Sequence, residues 1–289
     1  MSEERASADP PPPPEVTTQD LLLRGVRVRY IEAGAGDALL LVHGMFTSAR
    51  VWRRVIPRLA AHFRVVAPDL PGFGASEKPT RYAFTREAYA ETLCDLLAGV
   101  DAPRAHVVGH AMGGAIALTL AADHPEVVDR LAVINTLPAR GPMPLQARLS
   151  LAPVIGSFLL KQFYTRAAFH GYFRDEVYAP GAPYDRAAVD GWYDAFDPPE
   201  ARECALRALR SAADVSALGP RIAKVRAPTL VLWGERDRHG PLHMGRRLAY
   251  EIPGARFEPI ARAAHSPHEE LPDATVDALL RHLRGAPRR

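Results

Sequence analysis

Three positions in this 289-residue sequence have the residue types and spacing of acyl-transfer chemistry, and one of them lacks the atom that chemistry uses. Gly109-His110-Ala111-Met112-Gly113 follows a β-branched run and precedes the helical run Ala115 to Ala122, so it reads as strand, sharp turn, helix. A G-x-S-x-G turn in that context holds a serine hydroxyl above a sheet, and its glycines permit the tight backbone. Here Ala111 stands at the serine position and offers only a methyl group. Asp237 and His265 follow in that order, each just past a predicted strand. Nucleophile, orienting acid and proton-accepting histidine are the three parts such a site requires. Taken singly, Asp237 would serve as a turn or N-cap aspartate and His265 as a surface-loop histidine; their strand-end placement favours the catalytic reading.

The elements that must position these residues are legible in the hydrophobic pattern. Ala38 to Val42 and Phe63 to Ala67 are continuous apolar runs suited to strands buried on both faces, and Arg104 to Gly109, Val127 to Asn135, Pro228 to Trp233 and Arg256 to Ile260 complete the set. Helices are predicted over Ala49 to His62, capped by Ser48, over Thr85 to Val100, from the elbow to Asp123, and over Pro241 to Ile252 and Asp273 to Leu283. This βαβα alternation predicts an α/β fold with a mostly parallel, doubly wound sheet. Leu21 to Arg24 and Val26 to Glu32 read as short strands joined at Gly25, with the Gly34 to Asp37 turn closing them into a hairpin. The Pro10 to Pro14 run predicts a disordered or polyproline tail over residues 1–18.

Between Leu137 and Ala223 the pattern turns helical and carries 11 of the chain's 22 aromatic residues, Phe158, Phe163, Tyr164, Phe169, Tyr172, Phe173, Tyr178, Tyr184, Trp192, Tyr193 and Phe196. An inserted helical cap over residues 138–223 fits, leaving a core of 19–137 and 224–289. Some of these rings would form the cap's own core and others would line an apolar pocket.

Composition narrows the function classes. A 47% hydrophobic content supports one large core. The 36 basic residues are spread among 33 acidic ones for a net charge of +3, which gives no basic stripe for nucleic acid. The N-terminus lacks an apolar signal region, and no apolar run approaches the ~18 residues of a membrane span, so a cytoplasmic protein with Cys94 and Cys204 reduced is expected. His265-x-x-His268-Glu269 departs from H-E-x-x-H and no third ligand is evident, so neither metal nor cofactor is predicted. His43 and His110 read as structural members of their turns, Asp69 as a turn carboxylate, and His268 with Glu269 as a packing and hydrogen-bonding pair.

The elbow resembles the GHSMGG elbow of serine-type α/β-hydrolases with a helical cap in every position but Ala111, and the resemblance extends over roughly residues 20 to 286. His43-Gly44 resembles the family's HG oxyanion motif, which implies the backbone N–H groups of Met45 and Met112 as oxyanion donors. Asp69 to Gly74 resembles the D-x-x-G-x-G loop, and Trp233-Gly234-Glu235-Arg236-Asp237 resembles the W-G-x-x-D acid motif. His265 matches the histidine that precedes P-H-x-E, with Ala264 in place of the usual glycine. The resemblance implies an α/β-hydrolase fold with position 111, Asp237 and His265 as the catalytic assembly.

Alanine has no lone pair for attack and no proton for His265 to take, so the covalent acyl-enzyme route is closed. Loss of a triad serine costs on the order of 10⁶ in turnover and leaves about 10³ to 10⁴ over water from the rest of the site. Thr47, Ser48, Ser76 and Ser266 do not sit on an elbow. Three readings fit. The chain is an ester, or related acyl or C–C bond, hydrolase altered at its nucleophile; or a non-covalent lyase, cyclase or cofactor-free oxygenase using the His265/Asp237 dyad as general base; or a ligand-binding pseudoenzyme. In each case the partner expected is an apolar acyl or aromatic small molecule.

Overall fold

The computed structural model describes residues 15–136, 164–213 and 218–285. Their strands form one eight-stranded sheet in the order β1-β2-β4-β3-β5-β6-β7-β8, where β1 is Val16–Leu23, β2 Val26–Ala33, β3 Ala38–Val42, β4 Arg64–Pro68, β5 Ala105–His110, β6 Val128–Ile134, β7 Thr229–Gly234 and β8 Arg256–Ile260. From β4 to β8 every neighbouring pair is parallel; β1 and β2 join antiparallel at one edge. Central strands such as β3 (ALLLV) and β7 (TLVLWG) are buried along their whole length, as apolar runs covered by helices on both faces require. The α/β architecture predicted from the alternating pattern is therefore the one observed.

Three local expectations are corrected. The strand β1 begins at Val16, so residues 16–18, assigned to the tail by sequence, pair with Ala33, Glu32 and Ile31 of β2. The β1–β2 hairpin turns at Arg24-Gly25, both at positive φ (52° and 77°), the two-residue geometry that suits strand twist; Gly34 to Asp37 instead leads on to β3, which lies beyond β4 in the sheet. The helix predicted over Ala49 to His62 is broken into a 3₁₀ turn, Ala49–Trp52, and a short α-helix, Ile56–Leu59. Pro57 lacks the N–H that would continue the ladder and its ring crowds the preceding turn. Ser48 makes no side-chain cap; Asp69 Oδ1 accepts from the Ala49 N–H at 2.7 Å and does that work across the sheet edge.

Helices Arg86–Gly99, with Thr85 accepting from Ala88 N at its start, and Met112–Asp123 pack on each other and the sheet. Between β6 and β7 the described elements are helical: Arg166–Gly171, a π-helical turn Tyr172–Val177, Arg186–Phe196, Pro199–Ala213 and Gly219–Ile222. Phe158 and Phe163 lie outside the described residues. No described helix is long and apolar enough to cross a membrane.

Candidate active site

The site assembles where the parallel strands end. β5 stops at His110, and Ala111 takes φ 50° and ψ −114°, a conformation that L residues adopt only under constraint. Two contacts impose it. The Ala111 N–H donates to Ile134 O of β6 at 3.0 Å, and the helix that begins at Met112 is drawn tightly against the sheet. A Cβ on Gly113 would overlap the carbonyls of Val42 and His43, and one on Gly109 would overlap Gly113 O, so the flanking glycines are fixed by close backbone approach. The same approach brings the His43-Gly44 loop beside the elbow. Neither Met45 N–H nor Met112 N–H has an acceptor among the described residues.

The two histidines of these turns have structural partners. The Leu70 N–H donates to His43 Nε2 at 3.0 Å, leaving the Nδ1 proton for Gly44 O at 2.8 Å; burial holds this imidazole below its ordinary pKa. His110 Nε2 donates to His265 O at 2.8 Å, and burial together with the nearby His265 pushes its pKa down to about 3. His110 thus ties the elbow to the histidine loop as a neutral ring.

Asp237 and His265 meet. His265 Nδ1 donates to Asp237 Oδ2 at 3.0 Å, and both residues are buried. Burial raises the Asp237 pKa, but the His265 contact, the Asn135 amide at 2.6 Å from Oδ2 and the His239 N–H at 2.8 Å from Oδ1 outweigh it and hold the carboxyl below its ordinary range. The acid is therefore kept ionised beside the ring it orients. The substitution at Ala264 is absorbed: its N–H donates to the Glu270 carboxylate and its carbonyl accepts from Asn135, so the His265 loop closes around a methyl group buried to 1% exposure.

Several contributors escaped the sequence reading. Asn135, at φ 46° just past β6, donates to Asp237 and accepts from Gly234 N at 3.1 Å, bracing the acid turn. Glu270 gathers the N–H groups of Ala179, Ala264 and Ser266. Arg53 spans Glu269, at 2.5 Å, and Asp185 of the helical segment after β6, at 2.7 Å. His268 does not pair with Glu269 as expected; its ring lies 4.5 Å from those of Trp52 and His110, and neither of its nitrogens has a hydrogen-bond partner among the described residues. A polar residue at the end of a buried apolar strand is the available signal for Asn135, and Glu270 lies four residues from Ser266; Arg53 pairs with Asp185 and Glu269 across sequence distances that no local pattern spans.

The helical segment after β6 meets these loops. His265 N donates to Val177 O at 2.9 Å. Phe46, at φ 61° in the loop after His43-Gly44, contacts the rings of Tyr164, Phe169, Tyr172 and Phe196 at centroid distances of 5.4 to 6.3 Å. Phe169, Phe173 and Trp192 are buried and belong to the segment's own core, whereas Tyr172 reaches the His239 ring at 5.5 Å. A separate cleft of about 610 Å³ opens at the other end of the strands, lined by Asp37, His106, Arg104 and Asp129 among others, and no part of the dyad or elbow borders it.

Comparison with known proteins agrees with this architecture. The α/β hydrolase fold family matches residues 37–272. An uncharacterized protein of Mycobacterium tuberculosis (strain ATCC 25618 / H37Rv) is 30% identical over 278 residues, covering 92% of this chain and 81% of that protein. A 2-hydroxy-6-oxo-6-phenylhexa-2,4-dienoate hydrolase of Burkholderia cepacia is 29% identical over 271 residues, covering 90% and 92%. The solved structure of the hydrolase of that name from Rhodococcus sp. strain RHA1 superposes with a TM-score of 0.81 at 25% identity, covering 94% of this chain and all of that one. With its sheet order, its strand-end loops and these matches in agreement, the chain belongs to the α/β hydrolase fold family.

Proposed function

We propose that this protein descends from ester or C–C bond hydrolases, that its covalent route is closed at Ala111, and that the His265/Asp237 dyad acts as a general base on a bound carbonyl compound. The observation that carries the reading is the buried 3.0 Å hydrogen bond from His265 Nδ1 to Asp237 Oδ2, which leaves Nε2 as the proton acceptor. Its substrates would be those with an acidic proton beside a carbonyl, or those that water attacks directly. The N–H groups of Met45 and Met112, without acceptors among the described residues, would hold the developing enolate or oxyanion.

An apolar acyl or aromatic ligand is supported by the ring cluster around Phe46, by the segment over residues 164–213 acting as a cap, and by relatives whose names specify a phenyl-substituted dienoate. Two free cysteines, Cys94 and Cys204, suit a reducing, cytoplasmic setting.

The test compares three proteins on activated esters and on aryl ketone substrates. Ala111→Ser should raise ester hydrolysis by about 10³-fold or more, consistent with the serine's usual contribution. His265→Ala should abolish whatever turnover the Ala111 protein shows. Turnover unchanged by His265→Ala would refute the general-base reading, and tight ligand binding without product would leave a ligand-binding protein.

A further inference from the structure

We propose that Asp237, His239 and His265 form a binding site for a first-row divalent metal ion of the zinc class, and that metal occupancy excludes base chemistry at His265. One ligand atom from each of the three residues lies within 4.8 Å of the other two. His265 Nδ1 is 3.0 Å from Asp237 Oδ2, and His239 Nδ1 is 3.9 Å from Asp237 Oδ1. Zinc bonds of about 2.0–2.1 Å in tetrahedral geometry separate ligand atoms by about 3.3 Å, so small side-chain adjustments bring all three into range.

A second observation points the same way. His239 Nδ1 is shielded from solvent and has no hydrogen-bond partner among the described residues, although it belongs to a ring whose centroid lies 4.5 Å from that of His265, tilted by 37°, with the Tyr172 ring edge-on at 5.5 Å. Buried polar nitrogens ordinarily find a partner. A metal ion between the two imidazoles and the carboxylate would supply one. The His239 backbone also supports the geometry, since its N–H donates to Asp237 Oδ1 and fixes the carboxylate relative to the ring two residues on. Two imidazoles and one carboxylate make a borderline donor set that favours zinc and its neighbours over calcium or magnesium, and three protein ligands leave a position open for water.

The consequence for the dyad follows from proton bookkeeping. In the metal-free site His265 carries its proton on Nδ1, for Asp237, and its lone pair on Nε2. A metal ion takes the Nδ1 lone pair, so the neutral ring must carry its proton on Nε2 instead. No net proton is lost from the ring, yet Nε2 changes from acceptor to donor. Metal-bound and base-competent His265 are therefore alternative states of one side chain.

The inference goes beyond the general-base reading, and its primary readout does not involve turnover. Zinc chloride is titrated into the intact chain by calorimetry, alongside His239→Ala and His239→Gln, each checked for native circular dichroism. One tight equivalent is expected, weakened at least tenfold by either substitution. Long-range ¹⁵N-correlated imidazole spectra should show the His265 proton moving from Nδ1 to Nε2 as zinc is added. In an Ala111→Ser background, zinc should inhibit ester hydrolysis and chelator should restore it. Absence of a stoichiometric site, equal affinity in the His239 variants, or an unmoved His265 tautomer at saturation would each overturn the proposal.

Discussion

Gly44 faces Ala111 at a distance that leaves no room for a side chain: a Cβ on Gly44 would lie 3.3 Å from the Ala111 methyl and 2.9 Å from His110 Nδ1. The loop after β3 and the elbow after β5 are thus packed backbone against side chain. Gly44→Ala is expected to destabilise the protein by about 1–3 kcal/mol through overpacking. Urea denaturation checks this, and stability within 0.5 kcal/mol of the native protein would show that the loops separate at little cost, by the ~0.5 kcal/mol scale of surface substitutions.

Ala111→Gly is expected to stabilise, against the usual sign of such a change. The φ of 50° and ψ of −114° strain any residue that carries a Cβ, by about 1–3 kcal/mol, while glycine adopts it freely. After allowance for the larger entropy of glycine in the unfolded chain, about 0.5–1 kcal/mol, a net gain of about 1 kcal/mol remains. A lower denaturation midpoint for Ala111→Gly would show that the elbow is relaxed.

Asn135→Ala removes a donor from Asp237 and should let its pKa rise, because a hydrogen bond to the ionised form has been lost. In an Ala111→Ser background the acid limb of the pH–rate profile should move to higher pH, with turnover falling about tenfold, in line with the ~1.5–3 kcal/mol of a hydrogen bond to a charged group. A purely structural role would lower stability and leave that limb in place.

The parts of the candidate site that the structure brings together are legible in the sequence because their signals are local. Gly109-x-Ala111-x-Gly113, Asp237 after a tryptophan–glycine strand end and His265 each announce themselves within a few residues of the strand that positions them. The partners that tune them do not. Asn135 reaches Asp237 across 102 residues and Arg53 reaches Glu269 across 216, and only the folded sheet brings these pairs together. The strand over Val16 to Leu23 is only partly legible for a different reason: it is a mostly exposed edge strand whose first half, Thr17 to Asp20, is polar, and its order comes from pairing with β2 rather than from apolar alternation. The hydrophobic pattern after Ser48 runs on through Pro57 without a break, but Pro57 has no N–H to bond Arg53 O, so the ladder is interrupted there and resumes in the short helix Ile56–Leu59.

Arg53 and Glu269 set a pH dependence. Burial raises the Glu269 pKa to about 7 despite the Arg53 charge and hydrogen bond that oppose it. The folded protein therefore favours the protonated acid. The stability this residue contributes is fully present below its ordinary pKa, near 4.5, and is lost as pH rises through about 7. In Arg53→Met the opposing charge is gone, so the loss should continue to higher pH, and the gap between the two proteins should widen from pH 5 to pH 9. A gap of about 2–3 kcal/mol at pH 9 is expected, discounted from the ~3–5 kcal/mol of a broken buried pair because Arg53 is 25% exposed. A gap independent of pH would assign the Arg53 effect to Asp185 alone.

The fixed backbone at Ala111 has an evolutionary consequence. Every alanine codon becomes a serine codon by a change of its first base, and the Asp237–His265 pair and the elbow turn that would carry the new hydroxyl are already folded. Under the proposed assignment, one nucleotide change would return a hydroxyl to the elbow, and selection for ester cleavage would have its starting point there. The elbow's strain, maintained by packing, keeps that route open whatever the present chemistry.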